Sequence, residues 1–233
     1  MSRQASLAKR IVAEGLGTAF LLAAVIGSGI MGERLSGGNV AIALLANTIA
    51  TGTALVALIL TFGGISGAHF NPAVTLADAA MGGLAWNEVP GYILAQVGGA
   101  MLGVLAAHGM FGEPWFTVSL HTRSGARQMF SELVATFGLL SVIWGCSRTR
   151  SNAVAFAVGG YITAAYWFTA STSFANPAVT VARSFSNTFA GIRPADAPGF
   201  ILAQLAGAAG ATLLFRWLVP ELPAVAEEVP NKV

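Results

Sequence analysis

Charge is what this sequence has least of. Lys, Arg, Asp and Glu together make 9% of its 233 residues, against 55% hydrophobic. A water-soluble domain carries about a quarter charged residues, so this chain cannot cover an aqueous surface. With a mean hydropathy of +0.70, its solvent is lipid. The formal net charge of +2 is small. The pI near 9.0 reflects few titrating groups rather than a basic patch, which leaves no footprint for nucleic acid. Cysteine is nearly absent too. The single Cys146 excludes an intrachain disulfide and a multi-cysteine metal site, and it fits a small packing residue. No metal or cofactor is expected. HExxH, GxSxG and other nucleophile–base constellations are missing, so an enzyme is not expected. Nor is a cleavable signal peptide: MSRQASLAKR leads into an apolar run too long for a signal core, with no A-x-A-type site before Glu33.

What is present is long apolar runs. Six of them cover about 8–32, 40–62, 89–111, 128–147, 153–170 and 198–219, each close to the roughly 20 residues of a membrane-spanning helix. Two shorter stretches, about 72–82 and 177–187, are each about 11 residues or about 16 Å as helix, half a bilayer. Lys and Arg in short loops orient the spans. Arg3, Lys9 and Arg10 lie before the first, and Arg148 and Arg150 between the fourth and fifth. The opposite loops carry Arg34, Arg123, Arg127 and Arg193 over longer or acid-balanced sequence. Both termini are therefore expected in the cytoplasm. The tail at 220–233, Pro-rich and mildly acidic, is expected to be weakly ordered.

The chain also repeats itself. SGAHFNPAVTLA at 66–77 returns as STSFANPAVTVA at 171–182, with Asn71 and Asn176 separated by 176 − 71 = 105 positions. AEGLGTAF at 13–20 corresponds to SELVATFG at 131–138, pairing Glu14 with Glu132. PGYILAQVGGA at 90–100 corresponds to PGFILAQLAGA at 198–208, pairing Gln96 with Gln204. One half runs over about 8–111 and the other over about 128–219, within a single membrane domain. Each half holds three full spans, an odd number, so the second enters the membrane from the opposite side. Such inverted repeats place the solute site near the midplane, where broken helices meet.

Asn is a strong helix N-cap, and proline suits the first helical position. Asn71-Pro72-Ala73 and Asn176-Pro177-Ala178 therefore read as helix starts at the midplane, with alanine small enough for the two to abut. Irregular backbone at that depth lines a water-filled cavity or is buried in protein. Two half-helices meeting N-terminus to N-terminus aim about +0.5 charge each at one spot, which repels cations, including hydronium. The Asn amides can donate to a passing oxygen. The stretches Gly67-Ala68-His69 and Ser173-Phe174-Ala175 can offer carbonyls. A file of donors and acceptors with no net negative charge favours small neutral hydroxylated solutes.

These motifs resemble the major intrinsic protein family, the aquaporins and aquaglyceroporins, over about 8–219. The resemblance rests on the two NPA triplets, the HFNPAVT context and the paired Glu and Gln residues. It implies an all-α membrane fold of six helices plus two re-entrant half-helices, a pore in each protomer and a homotetramer. The chain departs from the family directly after the second NPA, where most members have arginine and this one has Val179. Counting from the triplets, as the family's spacing suggests, gives a filter of Thr51, Ala164, Ser173 and Val179. All four are small and uncharged, so a wide constriction without a fixed cation is expected. Bacterial aquaglyceroporins of arsenic-resistance operons share NPAV in place of NPAR. The resemblance therefore implies a passive channel for water, polyols and neutral metalloid hydroxides such as arsenous acid, in a bacterial inner membrane.

Other polar residues carry alternatives. Glu14 and Glu132 are costly at membrane depth. They either relay protons in a coupled transporter or accept N–H groups of the re-entrant loops, and their symmetry favours the second. Gln96 and Gln204 brace the same loops or face the pore. His69 lines the pore, gates it, or is a buried loop residue. His108 and His121 read as loop residues. Arg183 supplies a charge at the outer vestibule, or it sits at the interface and pairs with a loop acid or carbonyl, and the interfacial placement is favoured. Phe174 adjoins the filter and would narrow it if the outer loop bends. Gly99 and Gly103, spaced as GxxxG, read as helix-packing positions.

Overall fold

A helix that begins inside a bilayer has N–H groups that water cannot reach, and this fold is arranged around two such beginnings. The computed structural model describes residues 5–149 and 151–218; Arg3, the side chain of Arg148, Arg150 and the tail at 220–233 lie outside the described residues. The elements are α1 (Leu7–Leu35), α2 (Val40–Ser66), α3 (Pro72–Ala80), α4 (Val89–Phe111), α5 (Ala126–Thr149), α6 (Val154–Phe168), α7 (Pro177–Arg183) and α8 (Ala197–Leu218). Short 3₁₀ turns at Ser151–Ala153 and Pro194–Asp196 precede α6 and α8. The described residues contain no strand. Six long helices and two short ones make the expected all-α membrane architecture.

The order long, long, short, long occurs twice, and so does the packing. α1 packs on α2 and α4, and α5 packs on α6 and α8. The halves then interlock: α2 meets α6, α3 contacts α8, α7 contacts α4, and α3 and α7 touch each other. Glycines allow the closest approaches. A Cβ on Gly99 would lie 2.1 Å from the Gly15 carbonyl oxygen, and one on Gly103 would lie 2.2 Å from that of Ala19. In the second half, a Cβ on Gly207 would meet the Leu133 carbonyl oxygen at 2.4 Å. The GxxxG pair is thus a packing device, as its spacing implies.

Three boundaries differ from the sequence expectation. The fifth span is shorter than 153–170: α6 has 15 residues, about 22 Å of helix, and the 3₁₀ turn before it contributes about 6 Å more. The half-helix expected over 72–82 stops at Ala80, and the one expected over 177–187 stops at Arg183. Beyond Arg183 the backbone pairs with the loop after α4 instead of continuing to coil. Ser119 N–H donates to the Ser184 carbonyl at 2.9 Å, and Thr117 N–H to that of Phe185 at 3.3 Å.

Candidate functional site

Each short helix is capped as its sequence dictates. The Asn71 side-chain oxygen accepts from Ala73 N–H at 2.9 Å, and that of Asn176 accepts from Ala178 N–H at 3.0 Å and Val179 N–H at 3.3 Å. The amide nitrogens cross over. Asn71 Nδ2 donates to the Ala175 carbonyl at 2.8 Å, and Asn176 Nδ2 donates to that of Phe70 at 2.7 Å. Each asparagine therefore ends its own helix and clamps the other loop.

The loops leading into these caps are strained. Ala68, Phe70, Ser173 and Ala175 are left-handed, with φ of 51°, 49°, 48° and 47°, a conformation costing roughly 1–3 kcal/mol per residue. Two buried carboxylates hold them. Glu14 accepts from His69 N–H at 2.9 Å, Phe70 N–H at 2.7 Å, the Ser66 hydroxyl at 2.6 Å and Gln96 Nε2 at 2.8 Å. Glu132 accepts from Phe174 N–H at 2.9 Å, Ala175 N–H at 2.8 Å and Gln204 Nε2 at 2.6 Å. Gln96 and Gln204 also donate to the Thr75 and Thr180 hydroxyls, both at 2.9 Å. None of these four acidic and amide residues lines the cavity described next. Loop bracing is therefore the role the geometry gives them.

A cavity of about 340 Å³ runs between the two halves. Asn71 and Asn176 line it, as do Gly67, Ala68, His69, Phe174 and Ala175. Pro72, Ala73, Pro177 and Ala178 are buried off the wall, because they form the packed first turns that the asparagines cap. Thr51, Ser173 and Val179 also line the cavity. The Ser173 hydroxyl is buried without a hydrogen-bond partner among the described residues. His69 is held at Nδ1 by the Thr75 hydroxyl at 3.1 Å, and its Nε2 lies 3.5 Å from a carboxylate oxygen of Asp78. Asp78, which lies outside the sequence motifs, lines the cavity beside it.

Two expectations are corrected here. Ala164 does not reach the cavity. It faces outward on α6, whereas Val158, Ile162 and Tyr166, on a four-residue spacing, face inward. Tyr166 faces the cavity from the same helix, with its hydroxyl 3.3 Å from that of Thr51. The wall is not free of fixed charge either. Arg183 is 2% exposed and lines the cavity with Phe174, so it is not at the lipid interface. Its Nε donates to the Ala190 carbonyl, and its Cζ lies 3.4 Å from the centre of the Phe174 ring. Its partner is a carbonyl, and its location is buried rather than interfacial.

The outer loop adds a residue that spacing could not reveal. Arg123 folds inward, donating from Nε to the Gly191 carbonyl at 2.8 Å and from a terminal nitrogen to that of Ser171 at 3.1 Å. Its Cζ lies 5.0 Å from the same Phe174 ring. Burial pushes its pKa down to about 10, partly opposed by Glu132 and Tyr166, so it remains charged at neutral pH. Burial, then the charges of Arg123 and Arg183, lower the pKa of His121 below its ordinary value. His108 is not a loop residue: it ends α4 fully buried and meets the Ser186 hydroxyl at 2.8 Å.

Comparison with known proteins converges on one kind of molecule. Residues 1–153 match the sequence model of the Major intrinsic protein family. Over 226 residues the chain is 53% identical to the aquaglyceroporin AqpS of Rhizobium meliloti (strain 1021), covering 97% of each chain. It is 36% identical over 159 residues to aquaporin NIP1-1 of Zea mays, covering 66% of this chain and 55% of that one. The X-ray structure of the aquaglyceroporin from Plasmodium falciparum superposes with a TM-score of 0.71, covering 93% of this chain and 99% of that chain at 21% identity. That last likeness is one of fold.

Proposed function

The chain belongs to the major intrinsic protein family, and on that premise we propose that it is a passive membrane channel for small uncharged solutes: water, glycerol-like polyols and neutral metalloid hydroxides such as arsenous acid. One observation carries this reading: the two cap asparagines, Asn71 and Asn176, face a single cavity from half-helices that clamp each other. The 53% identity to an aquaglyceroporin supports the polyol part. Small wall residues, Thr51, Ser173 and Val179, support passage of solutes larger than water. Tyr166 and Phe174 on the same wall leave less room than four small residues would. A homotetramer in a bacterial inner membrane, with both termini in the cytoplasm, belongs to the same reading.

A coupled transporter would need a titratable group on the pathway and halves that rock against each other. Glu14 and Glu132 have their oxygens committed to loop N–H groups and lie off the cavity wall. The titratable groups on the wall, His69 and Asp78, face each other at 3.5 Å on the loop and half-helix of one repeat, which do not move apart when the repeats rock. Reciprocal asparagine bonds tie the halves together.

Stopped-flow light scattering on proteoliposomes tests the reading, with water, glycerol and arsenous acid as solutes. Wild type passes all three. Val179→Arg puts a guanidinium beside Ser173 and Asn176. It lowers glycerol and arsenous acid permeability by about tenfold, equal to about 1.4 kcal/mol of barrier, and lowers water permeability much less. Passage of water alone by wild type would overturn the solute range. An unchanged glycerol rate in the variant would remove Val179 from the selectivity element.

A further inference from the structure

We propose that Arg183 is the charge-selecting residue of this pore, supplying from one turn further along α7 the fixed cation that Val179 does not. The inference rests on the channel reading above.

Helical side chains lean toward the N-terminus of their own helix. A side chain at Arg183 therefore reaches back toward the level of Val179 rather than out into water. The observed placement agrees: Arg183 is buried, lines the cavity and lies against the Phe174 ring. The Ala190 carbonyl takes one N–H, and a guanidinium has five. Its guanidinium carbon sits over the aromatic ring, and a planar guanidinium can stack there as a lysine ammonium cannot.

The charge also has no carboxylate paired with it: none of the four ion pairs among the described residues includes Arg183. Its other polar neighbour is the Tyr166 hydroxyl. The other charged group on the Phe174 ring is Arg123, of the same sign. Glu132 acts on Arg183 only at a distance, because its oxygens are bound to Phe174, Ala175 and Gln204. In a narrow pore with little water, a permanent positive charge on the wall repels cations strongly. Its N–H groups still donate to the oxygen of a neutral solute.

The test uses the full chain in proteoliposomes. Proton leak is read with an entrapped pH dye and K⁺ leak with a K⁺-sensitive dye, each divided by osmotic water flow in the same vesicles. Arg183→Gln keeps a donor for the Ala190 carbonyl and removes the charge. Arg183→Lys keeps the charge and loses the stacking. The glutamine variant is expected to leak at least about tenfold more than wild type per unit of water flow, and the lysine variant much less. Moving the cation back, with Val179→Arg added to Arg183→Gln, is expected to suppress the leak. Equal ratios for wild type, glutamine and lysine variants would overturn the proposal, as would a double variant that leaks like the single one. If Arg183→Gln carries no water flow, Arg183→Met, also uncharged, takes its place in the same comparison: a leak well above wild type that the added Val179→Arg suppresses supports the proposal, and a ratio equal to wild type overturns it. Absence of neutral-solute flow in wild type would instead remove the channel reading, an outcome distinct from either ion result.

Discussion

At the scale of single residues, Glu132 shows why a carboxylate is retained at membrane depth. It accepts two backbone N–H groups and one side-chain amide, and hydrogen bonds to a charged group contribute about 1.5–3 kcal/mol each. The left-handed Ser173 and Ala175 sit in the loop it holds. Glu132→Gln turns one acceptor oxygen into a donor facing N–H groups. The variant is expected to lose about 2–4 kcal/mol of stability, read as a lower Tm in detergent, with water and glycerol flow falling together. Glu14→Gln should do the same through His69 and Phe70. Selective loss of proton-driven uptake with an unchanged Tm would instead favour the relay role. The pairing of these glutamates was legible in the sequence because both copies of the repeat carry it. Tyr166 was not, because counting from Asn176 assumes an unbroken spacing through the turn at 169–173, where the chain leaves the helix. Arg123 was invisible for a different reason: nothing in a loop sequence tells whether a side chain folds back over the pore.

Elements are set by contacts that single residues only permit. α1 and α4 approach through Gly103, where a Cβ would strike the Ala19 carbonyl oxygen at 2.2 Å and the Leu22 Cβ at 2.7 Å. Gly98, on the same helix, has nothing within 4 Å. Gly103→Ala is therefore expected to cost about 1–3 kcal/mol through forced separation of the helices. Gly98→Ala should be neutral or gain about 0.5–1 kcal/mol. Thermal unfolding of the two variants side by side checks the contrast, and equal shifts would refute it. The GxxxG spacing pointed to Gly99 and Gly103 in the sequence, but not to α1 as the helix they meet, because a helix face fits several partners until the packing is known.

The outer loop is an element without regular structure, and it depends on Asp196. That carboxylate accepts from Arg123 N–H at 2.9 Å and from the Arg193 guanidinium at 2.8 Å. Burial opposes its charge, but the hydrogen bonds from Arg193 and Arg123, with the charge of Arg193, hold its pKa below the ordinary carboxylate value. A depressed folded-state pKa stabilises the docked loop fully above the unfolded value, near about 3.9. That stabilisation is lost as pH falls through the folded value. Hydrogen exchange over 112–125 should therefore rise, relative to intrinsic rates, only below about pH 4. Asp196→Asn should raise it already at neutral pH. An Asn variant with wild-type protection would detach the loop from this latch.

At the scale of the whole molecule, the inverted arrangement explains why the centre is rigid. In a rocking transporter the two repeats separate alternately at each side, so contacts at their junction must break and re-form. Here the junction is the pair of bonds from Asn71 to the Ala175 carbonyl and from Asn176 to that of Phe70. It is reinforced by α3 on α8 and α7 on α4. Breaking both bonds together would strand two donors and two carbonyls at membrane depth, where each unpaired group costs several kcal/mol. A population that opens that way is too rare to carry flux, and solute must move through a standing pathway. Glycerol uptake should then rise linearly with concentration and persist when ionophores collapse the membrane potential and the pH gradient. Saturation at millimolar glycerol, or arrest on adding a protonophore, would mean that the junction does open, and the clamp of the two asparagines would no longer describe how the molecule works.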